Sequence, residues 1–335
     1  MSAKNCFAVF VLTGAAALSL EVRELFAQAP EPLLQLEAKI PLGDVRGRID
    51  HMTIDRNRHR LFVAELGNDT VGVVDPNARK VIHVITGLNE PQGVAYVPSS
   101  DALYVANAGD GSVRIFEAEN YQPAGQIDLG EDADNIRVDN VANRVFVGYG
   151  NGALAVIDPA KRSKIGDIRL GAHPESFQLD ISSTRIFVNV PKRKEIAVVD
   201  RATAKQTERW PLKSEANFPM ALDEDAGHVL VAFRSPAGLG VFSARDGANI
   251  TTVEACGDAD DVFIDRKRQR AYVSCGTGFI DAFDMQGSAY RRVARILTTS
   301  GALTSLFVPE LDRFLLAVRA NAEESAAVWV FRPTP

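Results

Sequence analysis

The chain has 335 residues, 46% of them hydrophobic and 24% charged, a balance that excludes a disordered chain. Lys and Arg total 37 against 43 Asp and Glu, so the net charge is −6 and no general basic face exists for nucleic acid. Three cysteines are too few for a disulfide-built miniprotein.

The first predicted element is an export signal. Lys4 supplies a positive start, and Phe7 to Leu20 is uncharged and mostly apolar, about the length of a signal core and short for a membrane span. Ala27-Gln28-Ala29 fits a small-x-small cleavage site, although Pro30 directly after it is unfavourable there. Residues 1–29 are therefore read as a signal peptide and 30–335 as one domain, periplasmic or secreted, monomeric and without a membrane span. Removing Lys4, Arg23, Glu21 and Glu24 leaves the charge at −6.

The next segment, Leu34 to Leu42, reads as a lone outer strand. After it, seven β-rich runs recur: Leu61-Phe-Val-Ala, Leu103-Tyr-Val-Ala, Val145-Phe-Val-Gly, Ile186-Phe-Val-Asn, Val229-Leu-Val-Ala, Ala271-Tyr-Val-Ser and Phe314-Leu-Leu-Ala. Their starts lie 42, 42, 41, 43, 42 and 43 residues apart. Each is preceded by one short run, such as residues 51–55 or 135–139, and followed by another, such as 70–75 or 153–158. A fourth comes next in most repeats, such as 80–85. Four strands per repeat of this length is the period of a propeller blade. The last repeat ends four residues after Phe331 and lacks its outer strand. Leu34–Leu42 is expected to fill that place and cover two sheet edges. The fold expected is an all-β seven-bladed propeller, four antiparallel strands per blade, closed by an N-terminal strand.

The pieces LYVAN (103–107), GSVRIFE (111–117), LAVIDP (154–159) and IAVVD (196–200) resemble the YVTN-repeat seven-bladed propellers of exported bacterial proteins. The resemblance covers residues 33–331. It implies the fold and a surface-layer, binding or scaffolding role; its repeated residues are scaffold. More distant similar propellers include metal-dependent lactonases and lyases.

Residues that recur in most blades separate from those that do not. Asp55, Asp139, Asp180, Asp223 and Asp265 each end an innermost strand, where a carboxylate accepts hydrogen bonds from the following turn. The starts of those strands line the channel mouth and differ: Asp50, Gln92, Asp134, Glu175, Phe218, Asp260 and Leu303. The next positions are His51, Gly93, Asn135, Ser176, Pro219, Asp261 and Thr304. Side chains alternate along a strand, so one set alone is expected to point into the channel. Four carboxylates in one ring repel unless water, a cation or raised pKa values relieve them.

Several readings of that ring stay open: solvation by channel water, a Ca²⁺ or Mg²⁺ ion held by Asp50, Asp134, Glu175 and Asp260, a Zn²⁺ site with His51, or a polar ligand without metal. No cofactor follows with certainty. Tyr149, Arg193 and Arg234, on turns of the same face, are read with Gln92, Asn135, Phe218 and Asp261 as ligand-binding. The function expected is binding or scaffolding, with an unidentified small molecule or protein recognised at the channel mouth. The alternative is a metal-dependent hydrolase or lyase of the propeller-lactonase type, with Glu175 among the ligands and His51 as general acid and base. His173-Pro-Glu-Ser176 is not read as a catalytic triad, because triad members come from separate elements. On the opposite face Arg56, Arg58, Arg60, Arg266, Lys267, Arg268 and Arg270 are read as solubilising charge. Cys256 and Cys275 are expected on the mouth side of one blade, close enough for a disulfide.

Overall fold

A computed structural model describes Met1, residues 31–287 and residues 289–335. The expected export segment lies outside the described residues. Pro32–Pro335 forms one compact unit.

Among the described residues, 28 strands form seven four-stranded antiparallel sheets. The first complete blade runs β2 (Met52–Asp55), β3 (Arg60–Glu65), β4 (Thr70–Asp75) and β5 (Lys80–Ile85). The same order repeats from innermost strands β6 (Pro91–Val97), β10 (Ala133–Asp139), β14 (Phe177–Leu179), β18 (Glu215–Asp223) and β22 (Ala259–Asp265). The seventh blade is composite. It joins β26 (Ser305–Val308), β27 (Arg313–Val318) and β28 (Ala327–Pro333) to the N-terminal β1 (Leu34–Pro41). Strand β1 pairs antiparallel with β28, from Leu34 opposite Pro333 to Pro41 opposite Ala327.

The burial pattern explains why these runs are so apolar. The second strand of a blade has neighbouring sheets on both faces, so Leu61, Phe62, Val63 and Ala64 are all buried rather than alternating. Outermost strands alternate poorly and stay wet, as in Lys80–Ile85. The core is correspondingly divided. Seven apolar clusters lie one between each pair of adjacent blades, including the seventh and first, where Ile40, Leu42 and Val328 meet Met52, Leu61 and Val63.

The carboxylates that end the innermost strands serve the turns after them. Asp55 Oδ1 accepts from the Asn57 and Arg58 amides, Asp139 Oδ1 from Val141 and Ala142, and Asp265 Oδ1 from Arg268. The arginines of these turns correct the expectation of solubilising charge. Arg58 donates to Asp55 in its own blade and through both terminal nitrogens to Asp101 of the next, at 2.8 and 2.6 Å. Arg268 does the same with Asp265 and Asp312. Arg56 pairs with Glu310 across the ring closure. These cations join blades, because each turn lies beside the next blade's turn and each has an acceptor to offer.

Candidate functional site: the channel mouth

The innermost strands are irregular where they reach the mouth. Ladder pairing skips from Pro91 to Val94 in β6, from Ala133 to Ile136 in β10, from Asn217 to Met220 in β18 and from Ala259 to Asp261 in β22. In the first and fourth blades the ladder begins only after Asp50-His51 and Glu175-Ser176, although their backbones bond Ala64 and Asn189. A bulge re-aims side chains. The expectation that one alternating set faces the channel therefore fails: Asp50 and His51, Asp134 and Asn135, and Glu175 and Ser176 all line one cavity. Gly93 sits in such a bulge, and a Cβ there would collide with the Asp134 carbonyl oxygen of the next blade.

The cavity has a volume of about 380 Å³. It brings together Asp50, Asp134, Glu175 and Asp260, with Gln92, Phe218 and Arg234 around them. Three predicted residues lie elsewhere. The Tyr149 hydroxyl donates to Asp167 on β13 (Ser163–Arg169), toward the blade's outer edge, at 2.8 Å. Arg193 turns back to Glu195 at 3.4 Å, while its neighbour Lys192 reaches the cavity. Asp261 faces a second cavity farther down the channel, where it accepts from the Ser305 amide at 2.6 Å. Arg48, Asp132 and His173 line the mouth although nothing in the repeat pattern marks them. Arg48 and His173 lie two residues before ring carboxylates, outside the repeated strands, and that spacing is the signal that could have found them.

The missed residues change the electrostatics. Arg48 meets Asp50 at 2.7 Å, and Arg234 donates to Asp260 at 2.6 Å while stacking 4.0 Å from the Phe218 ring centroid. His173 hydrogen-bonds through Nδ1 to the Gly150 carbonyl at 2.6 Å and turns Nε2 toward Asp134 Oδ2, 4.0 Å away. Burial works against the His173 charge, yet Asp134, Gly150 and the nearby carboxylates lift its pKa to about 9. Burial likewise works to raise Asp134, but His173 and His51 win and hold it below the usual carboxylate range.

The other three carboxylates are lifted. Burial raises Asp50 to about 7 against the pull of Arg48. Burial raises Asp260 to about 6, with Asp50 adding to it. Burial raises Glu175 to about 8, reinforced by Asp134 and Asp260 and opposed by His173 and Arg234. His51 lines both cavities, 3.7 Å from Asp50, and burial lowers its pKa.

The residues do not fit the divalent-cation reading. Among the described residues no three His, Cys, Asp or Glu side chains converge to hold an ion. Arg48 and Arg234 also already pair with Asp50 and Asp260 from the side. Nor does Ser176 meet His173: its hydroxyl faces Arg137 at 3.3 Å.

Two features fix the sixth blade's share of the mouth. Cys256 and Cys275 are joined by a disulfide with Cα atoms 5.8 Å apart, pinning the loop that carries Asp258 and Asp260 to the end of the second strand. Arg234 Nε also approaches Asp258, at 3.2 Å.

Neither a protein-family model nor a curated protein sequence matches the chain. Solved propellers do. A Kuenenia stuttgartiensis hydrazine synthase chain is similar at 17% identity and TM-score 0.74, over 91% of this chain and 98% of that one. A chain of a mitotic checkpoint complex is similar at 13% identity and TM-score 0.76, over 95% and 99%. At these identities the likeness shows the seven-bladed propeller fold and nothing narrower. No described helix is long and apolar enough to cross a membrane.

Proposed function

We propose that this chain is an exported binding protein of the YVTN-repeat kind, which takes a small polar ligand in the channel-mouth cavity. One observation carries the reading. Four blades bring Asp50, Asp134, Glu175 and Asp260 to one walled cavity, although burial holds three of them above their ordinary pKa. A scaffold has no use for that repulsion, whereas a ligand supplying donors or positive charge relieves it. Export is supported by the apolar run Phe7–Leu20 and by the Cys256–Cys275 disulfide, a bond favoured in oxidising compartments.

The test is a thermal-shift screen of small polar metabolites against wild type and Asp134→Asn. A ligand at a hundred times its Kd adds about 2.7 kcal/mol to stability. At least one compound is expected to raise the wild-type melting temperature and to lose that effect in the variant. Hits that all survive Asp134→Asn would place recognition elsewhere.

A further inference from the structure

The cavity is not merely acidic; it has acceptors without donors. Asp134 is 5% exposed and Asn135 is 3% exposed, yet Asp134 Oδ1 and Asn135 Oδ1 have no hydrogen-bond partner among the described residues. Glu175 lines the same cavity beside them. A buried acceptor left without a donor forfeits about 1–3 kcal/mol. Asn135 matters most here: its oxygen is neutral, so a need for positive charge alone does not account for it.

The cations already present are committed. Arg48 is on Asp50, Arg234 on Asp260, and the His173 imidazole is turned to the other oxygen of Asp134. What is missing is a group with several N–H or O–H donors and positive charge. We propose that the channel mouth seats a small ligand through a primary ammonium group, donating to Asp134 Oδ1, Asn135 Oδ1 and the Glu175 carboxylate. This rests on the binding role proposed above and names its ligand class. An ammonium has three donors and no acceptor, which suits a mouth lined by acceptors. The competing classes fit less well. A carboxylate or phosphate would meet four carboxylates. A quaternary ammonium has no N–H, and the face of Phe218 that would receive it is covered by Arg234. A divalent ion finds no three converging ligands among the described residues.

The full chain is titrated calorimetrically at pH 7.5 with butylamine, 1,4-diaminobutane, tetramethylammonium, butylguanidine, butyrate, glucose and Ca²⁺. The primary amines are expected to bind, with tetramethylammonium and butyrate silent. Asp134→Asn and Glu175→Gln are each expected to weaken amine binding about tenfold or more, the scale of one hydrogen bond to a charged group. The Glu175→Gln variant guards against a folding defect, since it removes a strained charge. Amines that fail while glucose or butyrate binds and depends on Asp134 would overturn the ammonium class and leave the binding role. Preference for Ca²⁺ or butylguanidine would also overturn the class. Silence from every probe would overturn the ammonium seat, and a failed metabolite screen beside it would remove the binding role too.

Discussion

Both ends of the innermost strands are rich in carboxylates, and they treat them in opposite ways. At the turn end, Asp55, Asp139 and Asp265 are buried, and each accepts from its own turn and pairs with an arginine. At the mouth end, Asp134 and Asn135 are as deeply buried, but one oxygen of each goes without a donor. The same strand, β10, reaches both ends: Asp139 Oδ1 accepts two turn amides at one, and Asp134 Oδ1 accepts none at the other. Burial by itself therefore does not distinguish the two ends; what each carboxylate finds beside it does. A carboxylate whose partners come from the chain contributes stability, and one whose partners are missing opposes it.

The largest effect of a substitution is expected at the turn end. Asp265→Ala removes the acceptor shared by the Arg268 amide and guanidinium, and should destabilise the ring by about 3 kcal/mol, read in urea unfolding. A loss well under ~1 kcal/mol would mean that Asp312 alone suffices for Arg268. Replacing Cys256 and Cys275 with serine, which opens a bridge of sequence separation 19, should also lower stability by about 3 kcal/mol. That loss should appear equally on treating the wild type with reductant; a reductant-insensitive melting temperature would contradict it. Gly93→Ala forces a Cβ against the Asp134 carbonyl and should destabilise by about 2 kcal/mol while disturbing the mouth.

The pH dependence sharpens the same contrast. Asp260, Asp50 and Glu175 have folded pKa values of about 6, 7 and 8, above those of the unfolded chain. Between about pH 4 and pH 8 the folded state thus holds more protons, and stability falls as pH rises. His173, raised to about 9, contributes stability that is full below its unfolded value and is lost on the way to pH 9, the same direction. Asp134 acts oppositely, through stability lost only at acid pH, below the ordinary carboxylate range. The melting temperature without ligand should therefore be highest near pH 5 and decline toward pH 9. A maximum at pH 8 would refute the assignment of these groups.

Much of the fold was legible because the repeat is long and the strands are short. The 42-residue spacing placed all seven sheets, and the missing strand after Phe331 pointed to Leu34–Leu42, which pairs with β28. Equivalent positions in the repeat also placed Asp50, Gln92, Asp134, Glu175, Phe218 and Asp260 at one opening. Register gives height along the channel and not radius. Tyr149 and Arg193 are on the correct face but point away from the cavity, and periodicity has no term for that. Alternation misled at Asn135, which lies in a bulge, and at His51 and Ser176, which precede the paired ladder; neither leaves a mark in a two-residue pattern. Arg48 and His173 lie two residues before ring carboxylates but outside the repeated strands, so a comparison confined to those strands passed over them. The turn-face arginines read as surface charge because their acceptors, Asp101 and Asp312, come from the neighbouring repeat.

The claim that the mouth holds carboxylates against the fold's own preference is tested most directly by urea unfolding of Glu175→Gln beside wild type at pH 8 and pH 4. Gln removes a carboxyl lifted by burial and by Asp134 and Asp260. At pH 8 the variant should be the more stable by on the order of 2 kcal/mol, and at pH 4, where the wild-type group is largely protonated in both states, the two should nearly coincide. A variant less stable than wild type at both values would show Glu175 to be scaffold, and would contradict the account.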